Sequence, residues 1–251
     1  MTYLKFGLPL MVVVLWQLLS MLGILPYQRL PSPVEIAIGA KTLLVEGLPP
    51  GYLLYRHALE SLFRVFCGFC IAACLGIPVG ILIGWSQKLS AVLRPFIEIL
   101  RPIPPLAWIP IAIIWFGIGI ESAAFIIFLG AFFPILLNTV SGVRTVDVRL
   151  IEATKVLGAK ERHILLKVLA PGALPSIWTG LRIGLGIAWM TLVAAEFTGV
   201  KSGYGLGYVI MVARDIQRPD QVIAGMITIG LIGYGLDGLL RGGQRRLLKW
   251  M

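Results

Sequence analysis

Charged and chemically reactive side chains are scarce in this chain. Asp, Glu, Lys and Arg make up 14% of 251 residues, and histidine and cysteine occur two and three times. Each shortage excludes a class of function. His57 and His163 are far apart, and Cys67, Cys70 and Cys74 lack a second cysteine pair to complete a ligand set, so no metal centre is expected. The histidines read as helix-surface residues. The cysteines, at helical spacing inside one apolar run, read as small buried hydrophobes. No glycine-rich loop ending in Gly-Lys-Ser/Thr occurs, and "GVKSG" at Gly199 to Gly203 does not replace one. The acids are scattered rather than gathered at one depth, which leaves no catalytic residues for a membrane enzyme.

What the chain has instead is apolar length. It is 58% hydrophobic with a mean hydropathy of +0.90, and its apolar runs approach the ~20 residues that cross a bilayer. The class is therefore all-α, a polytopic membrane protein with about six spans. They fall at Phe6 to Leu25, Ser61 to Trp85, Ile103 to Gly119, Ser122 to Val140, Pro175 to Phe197 and Val222 to Leu240. The first is read as a retained span, because its core is too long for a signal peptide and no small-x-small site follows. The net charge of +10 sits in short clusters between spans, where it orients a membrane protein rather than binding nucleic acid. With the N-terminus inside, the inner connections hold fourteen Lys and Arg, while the outer ones hold six: Arg29, Lys41, Arg56, Lys201, Arg214 and Arg218. Both termini are expected in the cytoplasm. The chain then divides into an N-terminal span (1–30), an outer-face segment (31–60), a core (61–240) with an inner loop at about 144–171, and a basic tail (241–251).

Local signals refine this map. "LPSPVEIAIGAKTLLVEG" carries Ser32 as N-cap, Pro33 at the first helical position, Glu35 three residues after the cap, and Gly47 as a stop, which predicts a short helix on the outer face. Gly76, Gly80 and Gly84 recur every four residues and predict close helix packing. In "RPIPPLAWIP", prolines 102, 104, 105 and 110 lack amide donors, so the third span cannot begin as a regular helix. Irregular backbone at membrane depth needs protein or water beside it, and Pro104, Pro105 and Trp108 are therefore candidates for a translocation path, the alternative being an extended lead-in. Gly186 and Trp189 of the fifth span are assigned to the same path. Arg182, ~10 Å along the helix from Pro175, has three readings: contact with the inner-loop helices, snorkelling, or contact with substrate. Glu196, ~21 Å further, is better suited to a structural or gating role. Asp237 is placed to offset Arg241.

The polar island "EATKVLGAKERHILLKVLAPGALP", from Glu152 to Pro175, interrupts the apolar pattern. Asp147 can cap a helix that shows Leu150, Ile151, Thr154 and Leu157 on one side and stops at Gly158. A second short helix bearing Ile164, Leu165, Val168 and Leu169 is predicted to end at Pro171 and Pro175. Two short helices at a glycine elbow make a knob, which either lies on anionic headgroups or docks a partner.

Glu152, Ala153, Gly158, Val168 and Pro171 fall on the spacing of the "EAA" signature, with Thr154, Val168 and Ala170 as small departures. In this the chain resembles the permease subunits of bacterial ATP-binding-cassette (ABC) importers. "SLFRVFCGFCIAACLGIPVGILIGWS", "AFFPILLNTVSGV" and "GLRIGLGIAWMTLVAAEFTG" are similar to their nitrate, bicarbonate, taurine and alkanesulfonate branch. The resemblance implies a type I importer fold and an ATPase-coupling loop formed by Glu152, Ala153, Thr154, Leu157, Gly158, Ala159 and Pro171. It also implies partners: cytoplasmic ATPase subunits that hold ATP and magnesium, a periplasmic or lipid-anchored binding protein that delivers a small anion, a second permease copy, and membrane lipid. No cofactor is expected in the chain itself, and the setting implied is the bacterial inner membrane. The competing reading is a self-contained secondary carrier, although no second half resembles the first.

Overall fold

The computed structural model describes residues 2–197 and 204–247. All regular elements among them are helical: α1 (Thr2–Met21), α2 (Pro33–Val45), α3 (Leu54–Trp85), α4 (Gln87–Leu100), α5 (Ile109–Phe116), α6 (Ile120–Arg144), α7 (Val148–Val156), α8 (Glu161–Ile164), α9 (Ala170–Phe197), α10 (Leu206–Asp215) and α11 (Pro219–Leu247). Four stretches are long and apolar enough to cross a membrane: Leu54–Trp85, Ile120–Arg144, Glu161–Phe197 and Pro219–Arg246. A bent pair, Gln87–Leu100 with Pro105–Phe116, makes a fifth if its halves count together, and Gly7–Met21 is a shorter apolar helix.

Helix ends follow from local chemistry. Ser32 and Glu35 cap α2 reciprocally, the Glu35 amide donating to Ser32 Oγ at 3.2 Å and the Ser32 amide to Glu35 Oε2 at 2.7 Å. α1 stops at Met21 rather than Leu25, because the Gly23 and Ile24 amides turn back onto the Ser20 and Leu19 carbonyls. The predicted third span, Ile103 to Gly119, is not one helix. Pro105–Trp108 forms a tight 3₁₀ turn, α5 has 8 residues, and α4 meets this segment at 84°. The missing amide donors of Pro102, Pro104 and Pro105 account for the break.

Pro171 and Pro175 do not terminate the second inner helix as expected. The chain widens into an i→i+5 turn over Leu165–Leu169, where the Ala170 amide reaches the Leu165 carbonyl, and continues as α9 through both prolines. The wider turn shifts the hydrogen-bond register just where Pro171 has no amide to contribute and where its ring would crowd a regular turn. The fifth span thereby gains its lead-in from Glu161. The three cysteines also depart from expectation: Cys67 and Cys70 are half-buried and Cys74 is exposed, so they lie on a partly open side of α3.

The helices form two compact units, and α3, α9 and α11 each contribute to both. One unit comprises the described residues up to Leu62 and from Glu196 to Ile232; the other comprises Phe63–Ala195 and the described residues from Gly233 onward. In the second unit α6 runs between α3 and α9. A Cβ built on Gly80 would stand 2.7 Å from the Thr139 Cβ, and one on Gly84 would stand 2.6 Å from that of Val143. On an adjoining face, Cβ atoms on Gly180 and Gly184 would meet Asn138 at 2.8 Å and Ile135 at 3.0 Å. The glycine stripe read from the sequence thus brings backbones together where bilayer helices gain from van der Waals contact rather than from hydrophobic transfer.

Gly84→Leu should lower stability by about 1–3 kcal/mol through overpacking against Val143. Gly238→Ala, which meets nothing within 4 Å, should stay within about 0.5 kcal/mol of the parent chain. Thermal unfolding of the detergent-purified variants reads the difference, and equal melting temperatures would mean that α3 and α6 do not close on each other.

Candidate functional site

The loop that carries the signature is anchored on one side and open on the other. Asp147 Oδ1 accepts from the Arg149 amide at 2.9 Å and starts α7. Gly158, at φ +76, ends it, with the Gly158 and Ala159 amides bonded to the Lys155 and Thr154 carbonyls. That left-handed backbone costs other L-residues roughly 1–2 kcal/mol and is closed to proline. Ile151 and Ala159 pack on a core of Val143, Ile164, Leu169, Ala173 and Ile177. Thr154 is half-buried and bonds the Leu150 carbonyl at 2.8 Å. Glu152, Ala153 and Pro171 are exposed, while Val156 and Leu157 show 87% and 84% of their surface. Among the described residues no ion pair holds Glu152. The tip of the loop thus presents apolar surface beside an exposed carboxylate.

The residues assigned to a path do not all converge. Pro105 and Trp108 line a cavity of about 400 Å³ in the second unit, together with Arg101, Gly130, Phe133, Pro134, Asn138, Ile183 and Ile187. Pro104 precedes it in the tight turn, its carbonyl accepting from the Ala107 amide. Gly186 faces open space, and Trp189 is buried with its indole against Gly233. Arg182 contacts neither the inner loop nor this cavity: it bonds Asp237 of α11 at 2.5 Å, and Arg241 bonds the same carboxylate. The Asp237–Arg241 offset expected from the sequence is present, and Arg182 joins it. Arg101 and Asn138 escaped the sequence reading. The signal was available for Asn138, which follows Pro134 by one turn and donates to its carbonyl at 2.8 Å.

Glu196 belongs to a different construction. Its carboxylate is 1% exposed and accepts from Ser61 Oγ at 2.8 Å and from the Gly207 amide at 2.8 Å. The Leu206 amide donates to Ser61 Oγ at 2.9 Å, and the Gly205 amide to His57 Nδ1 at 3.0 Å. Three successive amides at the start of α10, of the four that a helix leaves unpaired, are therefore capped by the side chains of His57, Ser61 and Glu196. Because Nδ1 accepts, the His57 proton sits on Nε2 and is donated to the Leu48 carbonyl at 2.9 Å. His57 is thus wholly buried rather than on a helix surface as expected, whereas His163 is exposed. The sequence signal was the i, i+4 pairing of His57 with Ser61.

Ser61→Ala or Glu196→Ala should strand an amide at the head of α10 at a cost of about 1–3 kcal/mol. Hydrogen exchange of the Leu206–Asp215 amides should accelerate about tenfold or more, with Glu196→Gln less affected because it keeps an acceptor. Unchanged protection in both alanine variants would remove these side chains from the cap.

The family model described as "Binding-protein-dependent transport system inner membrane component" matches residues 76–249. A protein of Methanocaldococcus jannaschii named as an ABC transporter permease is 48% identical over 98% of this chain and 91% of its own length. The taurine transport system permease protein of Escherichia coli is 39% identical over 98% of this chain and 89% of its own. Among solved structures, a chain of the methionine ABC transporter MetNI in its inward-facing form superposes with a TM-score of 0.63 at 26% identity, covering 77% of this chain and 97% of that one. With a family model over most of its length and full-length relatives at these identities, the chain belongs to the family of binding-protein-dependent transport system inner membrane components, as an ABC importer permease subunit.

Proposed function

We propose that the chain forms the translocation path of an ATP-driven importer for a small anion of the nitrate, bicarbonate, taurine or alkanesulfonate class. A binding protein delivers the anion on the outer side, and two permease copies enclose the path. Cytoplasmic ATPase subunits, which hold ATP and magnesium, drive it through the loop around α7. Both termini lie in the cytoplasm, as the distribution of Lys and Arg favours.

The observation that carries this reading is the two-sided loop. Ile151 and Ala159 tie it to a packed core, so force on its tip is transmitted rather than absorbed. Leu150, Val156 and Leu157 are open apolar surface of the kind that a groove on a partner covers. The cavity beside Trp108 supports the path, since it meets the irregular Pro105–Trp108 backbone and holds the Arg101 guanidinium near an anion's route.

Gly158→Pro should abolish ATPase association and transport while the chain still inserts, because proline cannot take the φ of +76 that turns the elbow. Glu152→Lys should do the same by reversing charge at the tip. Co-purification of the ATPase at parent yield with both variants would contradict the coupling role. Transport by the purified permease alone would favour a self-contained carrier.

Topology has a separate check. Cysteines at Lys160 and Ile216, with Cys67, Cys70 and Cys74 replaced, should respond oppositely to an impermeant thiol reagent on intact cells, only Ile216→Cys being labelled. The reverse pattern would invert the orientation. Lys201, the outer basic residue nearest this segment, lies outside the described residues.

A further inference from the structure

Three of the six basic residues that the charge pattern puts outside gather around one cavity. Arg29, Arg214 and Arg218, with the carboxamides of Gln28 and Gln217, line a space of about 360 Å³ against the side chain of Val222. Guanidinium groups are depleted on that side of a membrane protein, so their convergence needs a reason.

The local chemistry gives one. At the end of α10 the Gln217 amide returns to the Arg214 carbonyl and the Arg218 amide to that of Ala213, which brings Arg214, Gln217 and Arg218 to one rim. Arg214 pairs with Asp215 at 2.7 Å and Arg218 with Asp220 at 3.0 Å. Asp220 is buried, accepts the Tyr27 hydroxyl at 2.8 Å, and is pressed by Gly39, where a Cβ would stand 2.7 Å from its carboxylate. Burial and the bond to Asp220 raise the Tyr27 pKa, and the bond to Asp220 raises that of Arg218, so both remain protonated donors. Two carboxylates thus face three guanidiniums, and among the described residues none pairs with Arg29. The cavity keeps one net positive charge and a wall rich in N–H donors.

We infer that this cavity is an oxyanion-receiving site, which holds one small sulfonate, bicarbonate or carboxylate group before it enters the path. Such groups present two or three acceptor oxygens, and the guanidinium fork matches them in pairs. The inference rests on the anion-import reading and names a site for that substrate. A lipid phosphate shares the chemistry, and the test separates the two sources.

Isothermal titration of the full chain, purified in neutral detergent, with taurine and with bicarbonate should show saturable binding, and acetamide should show none. Arg29→Gln should weaken that binding about tenfold while leaving the ligand-free melting temperature unchanged. An absence of saturable anion binding by the parent chain overturns the site, and this arm does not depend on how the variant folds. Equal affinity in Arg29→Gln overturns it as well. In nanodiscs, retention of phosphatidylglycerol that depends on Arg29, without any response to free anion, assigns the cluster to headgroups and also overturns it. Uptake by the complex reconstituted with its ATPase and binding protein is measured in parallel. Normal uptake with no anion binding removes the site but leaves the import reading standing. Binding without uptake of any of these anions removes the import reading and keeps the site.

Discussion

Peptide groups that lose water inside a bilayer must find partners within the protein, and each one left without costs roughly several kcal/mol. Helices satisfy this condition internally, which is why every regular element among the described residues is helical. The informative places are where a helix is interrupted. At Pro105–Trp108 the interruption borders a cavity; at the head of α10 three amides are capped by His57, Ser61 and Glu196; at Leu165–Leu169 a wider turn admits Pro171. The first and third shape features that the transport reading uses, and the second fixes where α10 begins.

Close packing supplies the rigidity between these places. α6 contributes Ile135, Thr139 and Val143 to contacts with glycines of α3, and an adjacent face that shares Ile135 meets glycines of α9. Side chains that cannot shift without a clash move as a body, so a displacement at the end of α6 or α9 has a mechanical route along both helices. The loop around α7 leaves that packed body through Val143 and returns to it through Ile164 and Leu169.

Charge is distributed with equal economy. Asp237 serves two arginines of the second unit, Asp220 serves Arg218 and Tyr27 of the first, and Glu196 is spent on Ser61 and a helix terminus. Twelve acids cannot offset twenty-two Lys and Arg, and the surplus lies on the loops and beside the two cavities that contain Arg101 and Arg29. On the anion-import reading proposed above, such a surplus would raise the local concentration of the cargo.

Much of this was legible in the amino-acid sequence because it depends on neighbours in the chain. Apolar length marked the spans, Ser32 with Glu35 marked α2, the four-residue glycine repeat marked α3, and Asp147 to Gly158 marked the projecting helix, since all of these are set by contacts within one or two turns. Prolines were read correctly where they break a helix near Pro105, but wrongly at Pro171 and Pro175, because an i→i+5 turn upstream decides whether a proline fits and composition does not reveal it. His57, Glu196 and Arg182 had the opposite character. Their partners sit on other helices, so only the tertiary structure could say that His57 caps α10, that Arg182 serves Asp237, and which side chains face a cavity. Sequence fixes what a residue can bond and how far its own helix carries it; the packing of one helix against another chooses which bond it makes.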